Sequence, residues 1–479
     1  MKERDVETDA AQASPNAGRG VRRFYVETWG CQMNELDSQR MSGQLMRQGI
    51  LPTHDPALAD VILLNSCSVR DKAEHKVYSR IGQYRRFKSS DREVVLGLCG
   101  CVAQQEGERA LARAPELDFV LGPARVGELT DVLLRRGRGE RPVAVGFPDE
   151  RAYEMDAISR DGTYKGMVTI IEGCDKRCTF CIVPQTRGPE RCRPADDIVA
   201  EVRHLLDYGF VEIELLGQTV NHWVEPGGAG LDFADLLDRV ATLPGLERLR
   251  FVTSYPRDFS SRMVRRFAMH DTICSYLHLP VQSGDNEVLR VMGRGYSVEA
   301  YDELVAELRE ARPDLALSTD IIVGFPGESD AAFERTLDLI ERTRFSSVFA
   351  FVYSPRPGTA APRLTASGQV DEVPKPVADA RLQELFAVQQ TIQHELNSEL
   401  VGRTLPVLVT SRGERDAGSD GDASGGTATC SGRTSCHRIV HFPPPAEDVL
   451  PGRLTDVTIE RALPHSLLGR PPVLPGAAS

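Results

Sequence analysis

Gly173-Cys174-Asp175-Lys176-Arg177-Cys178-Thr179-Phe180-Cys181 sets three cysteines in a C-x3-C-x2-C run directly after an apolar, strand-like stretch, Gly166 to Ile171. Three thiolates at this spacing bind three irons of a [4Fe-4S] cube and leave the fourth iron open, where the amino and carboxylate groups of S-adenosylmethionine (SAM) chelate. A structural zinc site instead needs four ligands closed into a tetrahedron, normally as paired cysteine or histidine clusters. The nearest further ligands, Cys192 and His204, belong to no such pair. The run therefore reads as an open cluster site, and chemistry that strong calls for a fold that encloses it.

Working outward, five more strand-like runs follow: Val211 to Leu216, Leu249 to Thr253, Tyr276 to Pro280, Leu315 to Val323 and Ser347 to Tyr353. Helix-length amphipathic stretches separate them, such as Ala195 to Tyr208 and Asp330 to Thr343. Six βα units predict an open, partial (β/α)6 barrel over residues 164–400. Loops rich in Gly, Pro and polar residues follow the strands, and such loops build the active face of β/α barrels.

Upstream, apolar runs at Phe24 to Val26, Val61 to Leu64, Val94 to Leu98 and Phe119 to Leu121 alternate with helical stretches, which predicts an α/β, doubly wound parallel-sheet domain over 21–136. Cys31, Cys67 and Cys101 each follow one of these runs. Parallel open sheets bind ligands beyond their carboxyl ends, so separations of 36 and 34 residues (67 − 31 and 101 − 67) do not forbid a shared metal. Cys99, two residues before Cys101, faces the same way on an extended strand, so spacing alone does not choose between them. Residues 1–20 read as a leader and 137–163 as a linker. After a charged helix from Asp379 to Leu400, β-rich runs over 401–470 predict a small β-barrel, interrupted by a Gly/Ser/Asp-rich insertion at 413–429 and followed by a tail at 471–479.

The composition is that of an ordinary globular protein, with a net charge of −12 that offers no overall positive coat for nucleic acid. No run of about 18 apolar residues exists to span a bilayer, and the N-terminal segment lacks an apolar signal core. A cytoplasmic location is expected, and with it eleven cysteines acting as thiols or metal ligands rather than in disulfides. Cys430, Cys436 and His437 offer too few ligand types for a metal site, and Cys274 reads as a buried apolar residue.

Several motifs resemble the radical SAM methylthiotransferase family, and the likeness runs from about Phe24 to Arg470. They are Thr28-Trp29-Gly30-Cys31-Gln32-Met33-Asn34, Asn65-Ser66-Cys67-Ser68-Val69-Arg70 and Gly100-Cys101-Val102-Ala103-Gln104, together with the central cysteine run. Within that family the tRNA 2-methylthio-dimethylallyladenosine synthase branch is the most similar, through Leu279-Pro280-Val281-Gln282-Ser283-Gly284, Met292-Gly293-Arg294, Ser354-Pro355-Arg356-Pro357-Gly358-Thr359, Ser431-Gly432-Arg433-Thr434 and Arg438-Ile439-Val440-His441-Phe442. The terminal module resembles the TRAM domain, an RNA-binding β-barrel.

The resemblance implies two [4Fe-4S] clusters, one on Cys174, Cys178 and Cys181 and an auxiliary one on Cys31, Cys67 and Cys101, with SAM as cosubstrate. It implies methylthiolation at C2 of N6-dimethylallyladenosine next to the anticodon, so partners would be tRNA, a reducing electron donor and a sulfur source, for a monomeric enzyme away from membranes. Gly217 and Gln218 resemble the segment that receives the SAM amino group; Arg193, Gln282 and Gly324 are further SAM or substrate candidates. Arg433, Arg438 and Arg453 are candidates for contact with RNA phosphates. The chain departs from the family pattern at Cys192, Thr219 and Tyr255. Sister branches act on threonylcarbamoyladenosine or a ribosomal-protein aspartate, and a noncatalytic iron-sulfur RNA-binding protein is the alternative outside enzymes.

Overall fold

The structure, a computed structural model, describes residues 22–68, 71–88, 93–148, 158, 164–228, 230–414, 428–444 and 450–472. The expected leader, most of the 137–163 linker, most of the 413–429 insertion and nearly all of the tail lie outside these residues.

Six parallel strands form the N-terminal sheet: β1 (Arg23–Trp29), β2 (Leu51–Pro52), β3 (Val61–Ser66), β4 (Val95–Gly100), β5 (Phe119–Leu121) and β6 (Val143–Ala144), in the order β2-β1-β3-β4-β5-β6. β3 and β4 are buried along their whole length. Their near-continuous apolar runs suit strands covered by helices on both faces. Ile62, Leu64, Leu96 and Leu98 pack to one side, and Val61, Leu63, Val95 and Cys99 to the other. The order reverses between β1 and β3, which opens a crevice beyond their carboxyl ends. β6 lies within the segment expected to be linker; a two-residue edge strand leaves no periodicity to read.

The central domain begins with β7 (Lys165–Thr169), after which β8 (Ile171–Glu172) pairs antiparallel with β9 (Arg191–Cys192). The run expected as one strand from Gly166 to Ile171 is thus split at Ile170. Five further parallel strands follow: β10 (Glu212–Leu216), β11 (Arg248–Phe251), β12 (Tyr276–His278), β13 (Ala316–Val323) and β14 (Ser347–Val352). They form two parallel sheets, β11-β10-β7 and β12-β13-β14, joined by a parallel bridge from Leu249 to Ile273. The result is the expected open six-stranded arc.

Alternation along its strands divides the faces. Ile213, Leu215, Leu249, Val348 and Ala350 enter the large core shared with the surrounding helices. The inner face is polar: Lys165 pairs with Glu214 at 2.7 Å, and Arg250 with Glu212 at 3.2 Å.

A helix over Lys375–Ser398 leads to a closed barrel of β15 (Thr404–Glu414), β16 (Ala428–Thr434), β17 (Ile439–Phe442), β18 (Leu454–Ala462) and β19 (Leu467–Arg470), ordered β15-β16-β17-β19-β18. Closure leaves no exposed sheet edge. Cys430 is sealed in its core, while Cys436 bonds to Thr434 at 3.1 Å, so these two cysteines do not share a site. The turn between β16 and β17 docks against the amino ends of the central strands. Arg248 donates to the carbonyls of Arg433 (2.6 Å) and Pro406 (2.8 Å), and Arg250 to those of Ser435 (3.0 Å) and Thr434 (2.9 Å). His437, at φ +68°, stacks on Tyr276 with ring centroids 4.6 Å apart. Burial and the neighbouring arginines hold its pKa down at about 2, so it stays neutral.

Arg250 is the hinge pin of this seam. Replacing it with Ala takes the nearer cation from the buried Glu212 carboxylate and a donor from each of the Ser435 and Thr434 carbonyls, at a cost of about 3–5 kcal/mol. Chemical denaturation should register that loss, and limited proteolysis should show the terminal barrel cleaved away faster than in the parent chain.

Candidate iron-sulfur and SAM site

The loop carrying Cys174, Cys178 and Cys181 is held at both ends by backbone it cannot do without. Gly173 has φ +81°, and a Cβ there would sit 2.0 Å from the Pro189 carbonyl oxygen. Only glycine fits. Cys174 N–H donates to the Gly188 carbonyl (3.0 Å), Cys181 N–H to the Cys178 carbonyl (3.1 Å), and Thr179 N–H to the Met292 carbonyl (2.9 Å). Burial pushes the Cys174 thiol up to about 11 and the Cys181 thiol up to about 12, the latter helped by the charge of Cys178. These cysteines are thus held as thiols until a metal displaces their protons.

A buried cation faces them. Arg294 donates from Nη1 to the Cys178 sulfur (3.4 Å) and from Nη2 to the Pro280 carbonyl (2.8 Å). Its guanidinium lies over the rings of Tyr255 (4.4 Å to the centroid) and Tyr296 (5.4 Å). Tyr255, one of the departures from the family pattern, is therefore part of the cage around Arg294. Thr219 donates to Glu190 at 3.0 Å, and Cys192 accepts from Val224 N–H at 3.5 Å. These two departures have ordinary local partners.

The second trio gathers in the N-terminal crevice. Cys31 caps the helix Gln32–Arg47, Cys67 follows β3, and Cys101 opens the helix Cys101–Glu106. A shared hydrogen bond ties them: bonding with Cys67 holds the Cys31 thiol down at about 5 and the Cys101 thiol at about 7, and the same bonds push Cys67 up. Asn65 braces the pocket, donating to the Asn34 carbonyl (2.8 Å) and the Ser38 hydroxyl (2.9 Å). Cys99 belongs elsewhere. The expectation that it faces the same way as Cys101 fails because Gly100, at φ +85°, breaks the extended alternation. Cys99 packs instead into the apolar cluster with Met41, Leu63 and Phe119. Three thiols around a crevice, with no fourth ligand closing on them among the described residues, form a donor set that suits a thiophilic cluster with an open corner. No three described His, Cys, Asp or Glu side chains close around one point as a single-ion site would.

Arg187 links the two trios, and nothing in the sequence signals it. It lies six residues after Cys181, at the end of the helix Val183–Arg187, and is buried. Its Nη2 pairs with Asp37 Oδ2 of the N-terminal domain at 2.8 Å. The Asp37 carboxylate and the Cys101 and Cys31 thiols raise its pKa against the opposing effect of burial. A cation from the central loop thus sits against the other domain's cysteines.

The remaining candidates are dispersed. Gln218 accepts from Gly173 N–H at 2.5 Å and so braces the start of the cysteine loop. Gly217 makes room for Ile171, whose Cγ2 would lie 2.4 Å from an added Cβ. Gln282, nearly buried at the end of the barrel strands, adopts φ +78° without being glycine, the kind of backbone strain found at ligand sites. Arg193 donates to the Thr169 carbonyl (2.6 Å) and pairs with buried Glu201 (2.7 Å). Gly324 accommodates Ala378 of the long helix, 2.5 Å from an added Cβ. Of the three arginines considered for RNA, Arg453 is exposed, whereas Arg433 donates to the His437 carbonyl and Arg438 to the Ser346 carbonyl at the seam, each at 3.3 Å.

Comparison with known proteins agrees with this architecture. Residues 23–122 match the family described as "Uncharacterized protein family UPF0004", and residues 168–340 the radical SAM superfamily. A protein of Aromatoleum aromaticum named tRNA-2-methylthio-N(6)-dimethylallyladenosine synthase is 42% identical over 458 residues, covering 94% of this chain and 98% of its own. One of the same name from Thiobacillus denitrificans is 42% identical with the same coverage. Among solved structures, the radical S-adenosylmethionine methyltransferase TsrM of Kitasatospora setae shares the fold, with a TM-score of 0.51 at 14% identity over 84% of this chain and 78% of that one. Among the described residues no helix is long and apolar enough to cross a membrane.

The two trios should differ in the metal-free chain. Cys31 is a thiolate above about pH 5, so its alkylation should be near its plateau at pH 7 and fall as pH drops through 5. Cys174 and Cys181 should react slowly at pH 7 and gain reactivity only toward pH 11 to 12. Mass spectrometry of peptides alkylated across this range reads both profiles.

Proposed function

Since the chain belongs to the tRNA-2-methylthio-N(6)-dimethylallyladenosine synthase family, we propose that it installs a methylthio group at C2 of N6-dimethylallyladenosine beside the tRNA anticodon. As a radical SAM enzyme it uses SAM and a [4Fe-4S] cluster. We assign that cluster to Cys174, Cys178 and Cys181, and a second one to Cys31, Cys67 and Cys101. Bound there, the first cluster with SAM supplies a radical able to take hydrogen from an unactivated C–H, while the second supplies the route for sulfur and another SAM the methyl group.

The single observation that carries this reading is the Arg187–Asp37 pair, because it ties one open cysteine trio to the other across the domain seam. A chemistry that needs a radical at one site and sulfur from another requires both to face one substrate. The chain's own residues serve that requirement. Arg294 keeps a fixed positive charge against Cys178, Gln218 holds the loop entrance, and Phe180 with Phe325 screens the loop from water, ring edge to ring face at 6.2 Å. The target base has to leave its stack to reach such an enclosed site, as single-stranded anticodon bases readily do. Of Arg433, Arg438 and Arg453, the exposed Arg453 is the one assigned to RNA phosphate. An electron donor, a sulfur source, a monomeric state and a cytoplasmic setting complete the proposal.

Nucleoside mass spectrometry of tRNA from a strain lacking the gene should show the methylthio derivative replaced by plain dimethylallyladenosine; an undiminished methylthio peak removes the assignment. Anaerobically purified protein should carry about eight irons per chain, two four-iron cubes, and the Cys31→Ala/Cys67→Ala/Cys101→Ala variant about four.

A further inference from the structure

One face of β14 is spent in an unusual way. Val348 and Ala350 turn outward into the core beneath the helices, but Phe349 and Phe351 turn to the barrel interior and stay 45% and 40% exposed. Their inward direction is fixed by neighbours. Phe349 meets the ring of His278 edge-on at 5.8 Å, and His278 in turn bonds Ser318 (2.9 Å) and lies 3.4 Å from Asp320. In register, Phe349 stands beside Asp320 and Phe351 beside Ile322. Among the described strands β14 pairs only with β13, so this aromatic face lines the open side of the arc.

The stripe leads to the chemistry. Two residues beyond Phe351, Tyr353 meets Phe325 at 5.1 Å, and Phe325 meets Phe180 of the cysteine loop at 6.2 Å. A path of rings and apolar side chains thus runs from the middle of the interior to the proposed radical site at the carboxyl ends. The amino ends are closed by the terminal barrel's β16–β17 turn. With the amino ends closed, the open side and the carboxyl ends are left for entry, and Phe349 and Phe351 line the first of these.

We propose that Phe349 and Phe351 form the wall that receives the target nucleoside, Phe351 against the adenine ring and Phe349 against its N6-dimethylallyl group. This deepens, and rests on, the function proposed above. C2 and N6 project in different directions from adenine, so a base with C2 turned to the cysteine loop directs its N6 substituent back along β14, away from the mouth. An aromatic face is tolerant of any base by stacking, whereas the apolar prenyl group gains from burial against a second ring and an unprenylated amine does not. Phe349 is therefore the residue that distinguishes a prenylated from an unprenylated adenosine.

The test uses the full-length, anaerobically reconstituted enzyme with two anticodon stem-loop RNAs that differ only in the N6-dimethylallyl group. Product formation gives kcat/KM for each, and equilibrium binding gives a readout independent of turnover. Phe349→Ala should weaken binding and lower kcat/KM for the prenylated RNA by about tenfold or more, with little change for the unprenylated one, so that the preference narrows. Phe349→Leu, which keeps an apolar side chain and guards against a folding artefact, should retain most of the preference. Phe351→Ala should weaken both RNAs alike. If Phe349→Ala lowers both RNAs equally, or leaves the preference intact, the assignment of Phe349 is overturned while the proposed function stands. If the parent enzyme methylthiolates neither RNA, the function fails and this inference with it.

Discussion

The buried ion pair between Arg187 and Asp37 is the constraint around which the rest of this molecule is arranged. An unpaired guanidinium at that depth would cost several kcal/mol, so the helix that follows the central cysteine loop is obliged to meet the first helix of the N-terminal domain. Once they meet, Arg187 stands against Cys31 and Cys101 of the N-terminal crevice. Arg40, which reaches toward both Asp37 (4.0 Å) and Glu172 (3.7 Å), adds a second tie across the seam. The two domains are therefore joined by buried charge at this seam.

The same economy appears inside the central arc. Its outer face is spent on a continuous apolar core, and its inner face on ion pairs, hydrogen-bonded histidine and exposed rings. A packed β/α barrel fills its interior with branched aliphatics. Here Arg248 and Arg250 at the amino ends donate to the terminal barrel's carbonyls, while the middle of the arc carries the exposed rings of Phe349 and Phe351.

Much of this was legible in the sequence because parallel strands carry their chemistry at one end. Cys31, Cys67 and Cys101 each follow an apolar run, and that alone brings residues far apart in the chain to one crevice. Six central strands were legible for the same reason, since each buried face writes an apolar stretch of strand length. What escaped has a physical cause in each case. Spacing alone left Cys99 beside Cys101 as an alternative because alternation assumes extended backbone, and Gly100 departs from it. β16 is polar, with Thr429, Ser431 and Thr434, so it shows no apolar period. Arg193 has the charge and the chain position of a ligand contact, but its partner Glu201 lies in the next helix, and pairing of that kind is invisible before the fold is known. Arg294 stood in the motif Met292-Gly293-Arg294, but its place against Cys178, like that of Arg187 against Asp37, was unreadable because a buried cation follows no periodicity.

The way the terminal barrel is docked carries a mechanical meaning. Four donations from Arg248 and Arg250 go to backbone carbonyls rather than to mobile side chains, and a neutral His437 is stacked on Tyr276 beside them. A module fastened through its main chain behaves as a fixed jaw of a caliper, not as a bead on a string. Whatever the module carries is thereby held at one distance from the strands it closes.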